Sequence, residues 1–185
     1  SRYLQARNIE HIFFAPDYGF DSAECTGLPV MRFKGFRPLI YPECRIAFVP
    51  LEKMTGLLAD FAPDVVHIVT EFGMGLTGLR AATALGIPIV MSYHTNFDQY
   101  LRFYHLTHLS QALWLYMKWF HSFAQANLCP SRDTLESMRR RGFKNLDIWS
   151  RGIDLKRFGP SRFSPELRER LGARDKTVTG IESFG

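Results

Sequence analysis

The order of apolar and polar positions in residues 63–97 predicts a strand, a helix and a second strand. Val65–Val69 and Ile87–Met91 are short apolar runs typical of buried strands, and Gly78–Leu85 between them has the spacing of a helix. Two strands joined by one helix in so few residues form a βαβ unit. The two strands should therefore be parallel.

Polar residues follow each of these two strands. Glu71–Gly75 comes after the first strand, and Tyr93–Asn96 comes after the second. Ligands of parallel sheets bind beyond the carboxyl ends of the strands. We therefore expect the chemistry of this chain at these two turns.

Hydrophobic spacing elsewhere predicts five more strands and three longer helices. The strands are Ile9–Ala15, Leu28–Phe33, Arg45–Val49, Ala126–Cys129 and Leu146–Trp149, and the helices are Leu51–Phe61, Ser110–Gln125 and Ser131–Arg141. Strands and helices in this order predict an α/β fold built on a doubly wound parallel sheet.

The pattern changes near residue 150. Residues 1–150 are predicted to form the α/β domain, with its first strand missing because the chain opens on the end of a helix. Residues 151–185 are charged and contain a small helix with Ser164 as N-cap and Pro165 at the first position. We expect this second part to begin another domain, and the chain to be a fragment.

Composition indicates a folded core and a moderately basic surface. Hydrophobic residues make up 46% of the 185 residues, and the formal net charge is +5. A basic balance favours anionic partners such as phosphorylated substrates or lipid head groups, but it also occurs in ordinary cytosolic domains.

The cysteines and the apolar segments indicate a reduced, cytoplasmic setting. Cys25, Cys44 and Cys129 are scattered without a CxxC spacing, so neither a zinc site nor a disulfide framework is predicted. No signal-peptide pattern is present. The longest apolar helix candidate, Leu106–Ala126, contains too many polar residues for a membrane span.

Residues Gly73–Gly78 match the GxGxxG pattern between a strand and a helix, as a dinucleotide site requires. The acidic residue that should end the next strand is absent, because that strand ends in Ser92, Tyr93 and His94. NAD binding is therefore disfavoured. Either the glycines serve close packing alone, or they let a ligand approach the positive end of the helix.

Several polar side chains are candidates for a site, each beside a structural alternative. His94 follows a strand end, where imidazole can donate or accept near neutral pH, and we favour a functional role over a capped turn. Glu71 either binds a substrate hydroxyl or complements a helix N-terminus. Ser131 is first a helix N-cap. His67, which lies mid-strand between apolar residues, is predicted to be a hydrogen-bonded core histidine.

Other candidate sites are weaker. No His or Cys spacing and no DxD pair indicates a metal site. Basic residues Arg32, Lys34 and Arg37 alternate with Met31, Phe33 and Phe36. This interleaving fits either a surface for lipid or polyanion or an amphipathic edge strand, and its periodicity favours the strand.

Four motifs in this order resemble the amino-terminal domain of the family 4 (group 1) glycosyltransferases, which are retaining enzymes of the GT-B fold. They are the PDVVHI strand, the SYHT turn with its aromatic-rich continuation, the CPS strand-to-helix turn, and RGID followed by a phenylalanine. The resemblance is close for residues 63–172 and loose for residues 9–62.

The resemblance implies two Rossmann-like domains that face each other across a cleft. Residues 1–150 would mainly receive the acceptor, and residues 151–185 would form the hinge and the start of the donor-binding domain. The catalytic candidate is His94, which matches the family's cleft histidine. The candidate substrate-binding residues are Glu71, Phe72, Gly73, Tyr93, Thr95, Ser131 and Arg151.

The function implied by the resemblance is transfer of a hexose from a nucleotide-sugar to a lipid, glycolipid or small-molecule hydroxyl, with retention. No metal, other cofactor or nucleic-acid partner is expected, and membrane association is an open alternative. The residues that grip the donor diphosphate would lie outside this chain, so we expect the isolated chain to have little activity. The rival hypotheses are a non-catalytic nucleotide-binding module and a peripheral membrane-binding module.

Overall fold

The computed structural model describes residues 2–19, 29–38, 45–94, 110–149, 159, 161 and 163–172. The strands in these ranges are β1 Phe13–Pro16, β2 Val30–Phe33, β3 Gly35–Phe36, β4 Ile46–Ala47, β5 Val66–Ile68, β6 Ile89–Ser92, β7 Ala126–Cys129 and β8 Leu146–Ile148. The helices are α1 Arg2–Gln5, α2 Leu51–Phe61, α3 Met74–Ala84, α4 Ser110–His121, α5 Arg132–Arg140 and α6 Pro165–Arg170.

A four-stranded parallel sheet in the order β5-β6-β7-β8 organises the first of two units, Ser1–Trp149. Met91 of β6 lies opposite both Ile68 of β5 and Asn127 of β7. With the strands in this register, their carboxyl ends lie along one edge. The parallel sheet flanked by helices confirms the predicted α/β, Rossmann-like fold class.

The core lies on the face of this sheet that carries Ile68, Ile89 and Met91. Helices α2 and α3 cover one part of it, with Met54, Leu58, Leu79, Ala81 and Ala82 buried, and Phe120 of α4 joins the same cluster. A second cluster unites the ends of β6 and β7 with α4 and α5; its members are Tyr93, Met117, Cys129, Leu135, Met138 and Phe143. Burial of these side chains fixes the helices at the edge where the strands end.

The first unit also contains two pairs of short strands in its described part. Strands β1 and β2 are parallel, and β3 and β4 are antiparallel. In β2, Arg32 is exposed while its neighbour Phe33 is buried, so the strand interpretation of this basic segment is confirmed for Val30–Phe33.

The second unit is Ser150–Gly185, and its described helix is α6. The Ser164 side chain accepts a hydrogen bond from the Leu167 N–H at 3.1 Å, and Pro165 occupies the first turn, both as predicted. The donor-side role of this part of the chain stays a prediction.

The structure corrects two sequence predictions. Helix α3 begins at Met74 rather than Gly78, with Gly73 as its N-cap, so Gly75 and Gly78 lie inside the helix rather than before it. His67 is not a core residue: it lies on the opposite face of β5 from Ile68, where Val65 and Val69 are also exposed. Strand periodicity alone does not tell which face the helices will cover.

Candidate functional site

A cavity of about 270 Å³ lies at the carboxyl edge of the sheet, between the ends of β6 and β7 and helix α5. Its described lining residues are Tyr93, His94, Trp114, Pro130, Asp133, Thr134, Ser137 and Met138. The predicted catalytic histidine is therefore part of a concave, mixed polar and apolar surface, as ligand sites commonly are.

His94 is exposed and lies two residues beyond the end of β6 at Ser92. Its ring centroid lies 6.3 Å from that of Trp149, which in turn lies 5.4 Å from His67. One indole thus contacts both imidazoles. The His67 ring is hydrogen-bonded to the buried Ser92 hydroxyl at 2.5 Å, so the predicted hydrogen bond is present.

The two histidines also interact electrostatically. Partial removal from water, followed by the charge of His94, lowers the pKa of His67 below its ordinary value of 6.5. His67 is therefore neutral near pH 7 and forms its hydrogen bond with the Ser92 hydroxyl as an uncharged imidazole.

Tyr93 supports the cavity from the core side. Its side chain is buried, and its ring lies 6.4 Å from Trp114 and 6.3 Å from His121. Its backbone N–H donates to the Leu128 carbonyl at 2.9 Å, which continues the β6–β7 ladder to the residue before His94. His94 is therefore attached to a well-packed strand end.

Glu71 is turned into the interior, although it belongs to the turn before α3. Its side chain is 6% exposed, and Oε1 lies 3.5 Å from Nε2 of His121, which is 1% exposed. The Tyr116 hydroxyl donates to the Glu71 carbonyl at 2.5 Å. Burial, and then the Glu71 charge, raise the pKa of Tyr116, which keeps this hydroxyl protonated as a donor.

The hydrogen bonds of Asn127 define the tautomer of His121. The Asn127 amide nitrogen donates to the His121 and Lys144 carbonyls at 3.1 and 2.9 Å, so its oxygen accepts from His121 Nδ1 at 2.7 Å. Nε2 then faces the Glu71 carboxyl group. This nitrogen and Glu71 Oε1 lie 3.5 Å apart and both side chains are buried, so each side chain depends on the other for a polar partner.

Phe72 and Gly73 complete the turn in different ways. Phe72 is 40% exposed and stacks on Tyr116, with ring centroids 5.3 Å apart. Gly73 is buried with a φ of 55°, and a Cβ there would lie 2.8 Å from the Ala47 carbonyl oxygen. Close packing against β4 explains this glycine. The substrate contacts predicted for Glu71, Phe72 and Gly73 stay predictions.

Ser131 is the N-cap of α5, as predicted. Its hydroxyl oxygen accepts from the Thr134 N–H at 3.2 Å. Ser131 itself is not among the described residues that line the cavity, whereas four residues of the helix that it caps are. The predicted site residues Thr95 and Arg151 lie outside the described residues.

Sequence reasoning missed the α5 contribution to the cavity. Asp133, Thr134 and Ser137 are not among the residues that the sequence pattern singled out. A signal was present: Asp133 and Ser137 are four positions apart after a confirmed N-cap, and this spacing places them on one helix face. His121 was set aside because its spacing did not suggest a metal.

Within the described part of the chain, no group of three or more His, Cys, Asp or Glu side chains could hold a metal ion. None of the helices in that part combines the length and apolar character that crossing a membrane requires. Cys129 is a free, buried thiol, and burial raises its pKa, so it is unreactive.

The sequence matches known proteins over most of its length. The sequence profile of Glycosyltransferase Family 4 matches residues 1–157. A GDP-mannose-dependent alpha-mannosyltransferase of Corynebacterium glutamicum is 30% identical over 170 residues, which are 90% of this chain and 41% of that protein. A protein of the same name from Mycobacterium tuberculosis is 35% identical over 133 residues, 72% of this chain and 35% of that protein.

A glycolipid synthase is also similar. The Alpha-monoglucosyldiacylglycerol synthase of Streptococcus pneumoniae is 28% identical over 170 residues, which are 86% of this chain and 37% of that protein. The chain thus spans well under half the length of each of these curated relatives.

Proposed function

Because this chain belongs to glycosyltransferase family 4, we propose that it is the acceptor-side part of a retaining enzyme that transfers a hexose from a nucleotide-sugar to a hydroxyl. The relatives' names support both substrates. One name specifies GDP-mannose as donor, and another specifies a glucosylated diacylglycerol as product. A lipid or glycolipid acceptor is therefore the first choice, and a small metabolite is the second.

The observation that carries the proposal is the position of His94. It stands at the carboxyl end of β6, on the rim of the cavity, where ligands of parallel α/β sheets bind. Sugar transfer requires the acceptor hydroxyl to be oriented and water to be kept away. An imidazole on a rigid strand end can orient the hydroxyl, and the apolar wall formed by Tyr93, Trp114 and Met138 can exclude water.

The test uses the protein expressed from its complete coding sequence. GDP-mannose and UDP-glucose are offered with diacylglycerol and glucosyldiacylglycerol, and product is measured by chromatography. We expect transfer from one donor, and a 10²- to 10⁴-fold loss of rate in His94→Ala, the range typical of a positioned acid–base group. His11→Ala, a histidine outside the cavity lining, serves as the matched control.

Two results would contradict the proposal. One is a His94→Ala variant with more than half of the wild-type rate. The other is tight binding of a nucleotide-sugar, measured by calorimetry, without transfer to any of these acceptors. The second result would favour the non-catalytic nucleotide-binding module.

A pair of exposed, stacked aromatic rings supports peripheral membrane contact as a second property of the same protein. Phe36 and Phe48, which are 51% and 66% exposed, stack with their ring centroids 5.9 Å apart and their planes 6° from parallel. Lys34 and Arg37 are exposed beside Phe36 in sequence. Exposed aromatic rings with adjacent cations fit the interface of an anionic bilayer.

Vesicle sedimentation tests this contact. We expect binding to vesicles that contain phosphatidylglycerol, weakening as salt rises, and a several-fold loss in the double variant Phe36→Ala, Phe48→Ala. Phe163→Ala is the matched control, because Phe163 is also 66% exposed but lies in the second unit. Equal binding of all variants would exclude the stacked pair as the contact.

A further inference from the structure

Resting on the proposed function, we propose that the cavity beside His94 binds a hydroxyl-bearing ring or glycerol unit of the acceptor. Asp133 is its principal hydrogen-bond partner, and phosphate and carboxylate groups are rejected. This assignment adds Asp133, Thr134 and Ser137 to the site and names the chemical class that they select.

The charges of the lining argue against an anionic ligand. Asp133 is its acidic residue, and no lysine or arginine is among the described residues that line the cavity. Phosphate and carboxylate groups are usually recognised by arginine or lysine. The positive end of α5 is already engaged, because the Ser131 hydroxyl accepts from the Thr134 N–H and Asp133 supplies a negative charge in the first turn.

The hydrogen-bonding groups match adjacent hydroxyls. A carboxylate only accepts hydrogen bonds, and its two oxygens can take two neighbouring O–H groups. The Thr134 and Ser137 hydroxyls can donate as well as accept, so they complement the oxygens of the same polyol. Pro130 and Met138 provide apolar surface for its C–H groups.

The Trp114 ring, which forms part of the cavity wall, is held in place by contacts with other side chains. The Arg141 guanidinium lies 3.9 Å from the centroid of Trp114, over one face of the ring, and Phe143 meets the indole edge-on at 6.1 Å. Arg141 is therefore occupied by the ring, outside the described lining of the cavity. Trp114 therefore limits the width of the cavity. Arg141, which lies against the Trp114 ring, does not supply a positive charge to the described lining.

The volume of the cavity and the rigidity of its walls fit one sugar ring or one glycerol group. A volume of about 270 Å³ is just below the roughly 300 Å³ at which sites for drug-sized ligands begin. Asp133, Thr134 and Ser137 stand on one helix whose Leu135 and Met138 are buried. Groups held on a packed helix lose little freedom on binding, so even a small polyol can be selected.

Ligand binding without donor tests the assignment. The full-length protein is titrated with methyl α-glucoside, glycerol 1-phosphate and inorganic phosphate, and binding is followed by saturation-transfer NMR. We expect the glucoside to bind in the millimolar range. Binding of the two phosphates, for which the complete protein also offers its donor-diphosphate site, should not weaken in Asp133→Ala. Asp133→Ala should weaken glucoside binding at least about tenfold, the usual cost of a lost charged hydrogen bond.

The control is Glu136→Ala, because Glu136 is an exposed carboxylate on the same helix outside the described cavity lining. It should bind all three probes like the wild type. In transfer assays Asp133→Asn should raise the acceptor KM while leaving the donor KM unchanged. A merely structural role of Asp133 would not produce that split.

The outcomes separate this inference from the proposed function. Glucoside binding that is absent, or that is equal in Asp133→Ala and the wild type, would overturn the inference, even if His94-dependent transfer is found. Asp133-dependent glucoside binding in a protein that transfers no sugar would support the inference and remove the enzymatic proposal.

Discussion

Glu71 and His121 form a buried pair in which each side chain supplies the polar partner of the other. Removing one partner of such a pair leaves an uncompensated polar group, which typically costs about 3–5 kcal/mol. Glu71→Ala and His121→Ala should each lower the free energy of unfolding by about that amount. Glu71→Gln should cost much less, because its amide group keeps a polar side chain of nearly the same shape beside His121 Nε2.

Urea unfolding of the three variants measures these differences. The informative comparison is between Glu71→Gln and Glu71→Ala, which differ in the ability to donate to His121. Equal losses in both would show that a polar partner for His121 at position 71 does not stabilise the folded chain.

His67 links stability to pH through its lowered pKa. The unfolded chain binds a proton with a pKa near 6.5, whereas the folded chain binds it only at lower pH. Stability is therefore unaffected above about pH 7 and falls as the pH drops through 6.5 toward the folded value. We expect the melting temperature to fall between pH 7.5 and 5, and His67→Gln to reduce this fall. Parallel curves for wild type and variant would contradict the linkage.

Two glycines of helix α3 offer a matched comparison at the scale of an element. A Cβ at Gly75 would lie 1.7 Å from the Thr70 carbonyl oxygen, whereas a Cβ at Gly78 would meet nothing within 4 Å. Gly75→Ala forces the backbone to move and should cost more than about 1–3 kcal/mol. Gly78→Ala should stabilise the helix by about 0.5–1 kcal/mol. Urea unfolding checks both signs, and similar effects would contradict the packing explanation.

At the scale of single elements, the sequence predicts features that depend on neighbouring residues and misses those that depend on tertiary packing. Local signals predicted α2 with its observed bounds Leu51–Phe61 and the Ser131 cap of α5, because apolar spacing and a capping hydroxyl act within a few residues. The start of α3 was missed because the approach of Gly75 to Thr70 depends on how the turn folds back. The Glu71–His121 pair was missed for a similar reason, since only the packing of α4 brings its members together.

In the first unit, the parallel pairing of β6 and β7 brings together residues that are far apart in sequence. His94 and Asp133 belong to different strand–helix connections, and they share a cavity because β6 and β7 end at the same edge. The order of strands and helices predicted this edge and the place of His94. It could not predict which face of α5 would border the cavity, because that depends on the burial of Leu135 and Met138.

Hydrogen exchange should show that this site is attached to the most stable part of the molecule. Strands β6 and β7 are each paired on both sides, whereas β3 and β4 form a pair of two residues each. Amides that open only with global unfolding exchange most slowly. We therefore expect the slowest exchange in Ile89–Ser92 and Ala126–Cys129, and fast exchange in Gly35–Phe36, measured by mass spectrometry of peptides.

The expected exchange pattern has a consequence for the function proposed here. If β6 is the slowest strand, the residue that follows it can hold an acceptor hydroxyl without local opening, as precise positioning requires. Exchange in Ile89–Ser92 as fast as in Gly35–Phe36 would mean that the strand end before His94 opens readily. His94 could then not serve as a pre-positioned group.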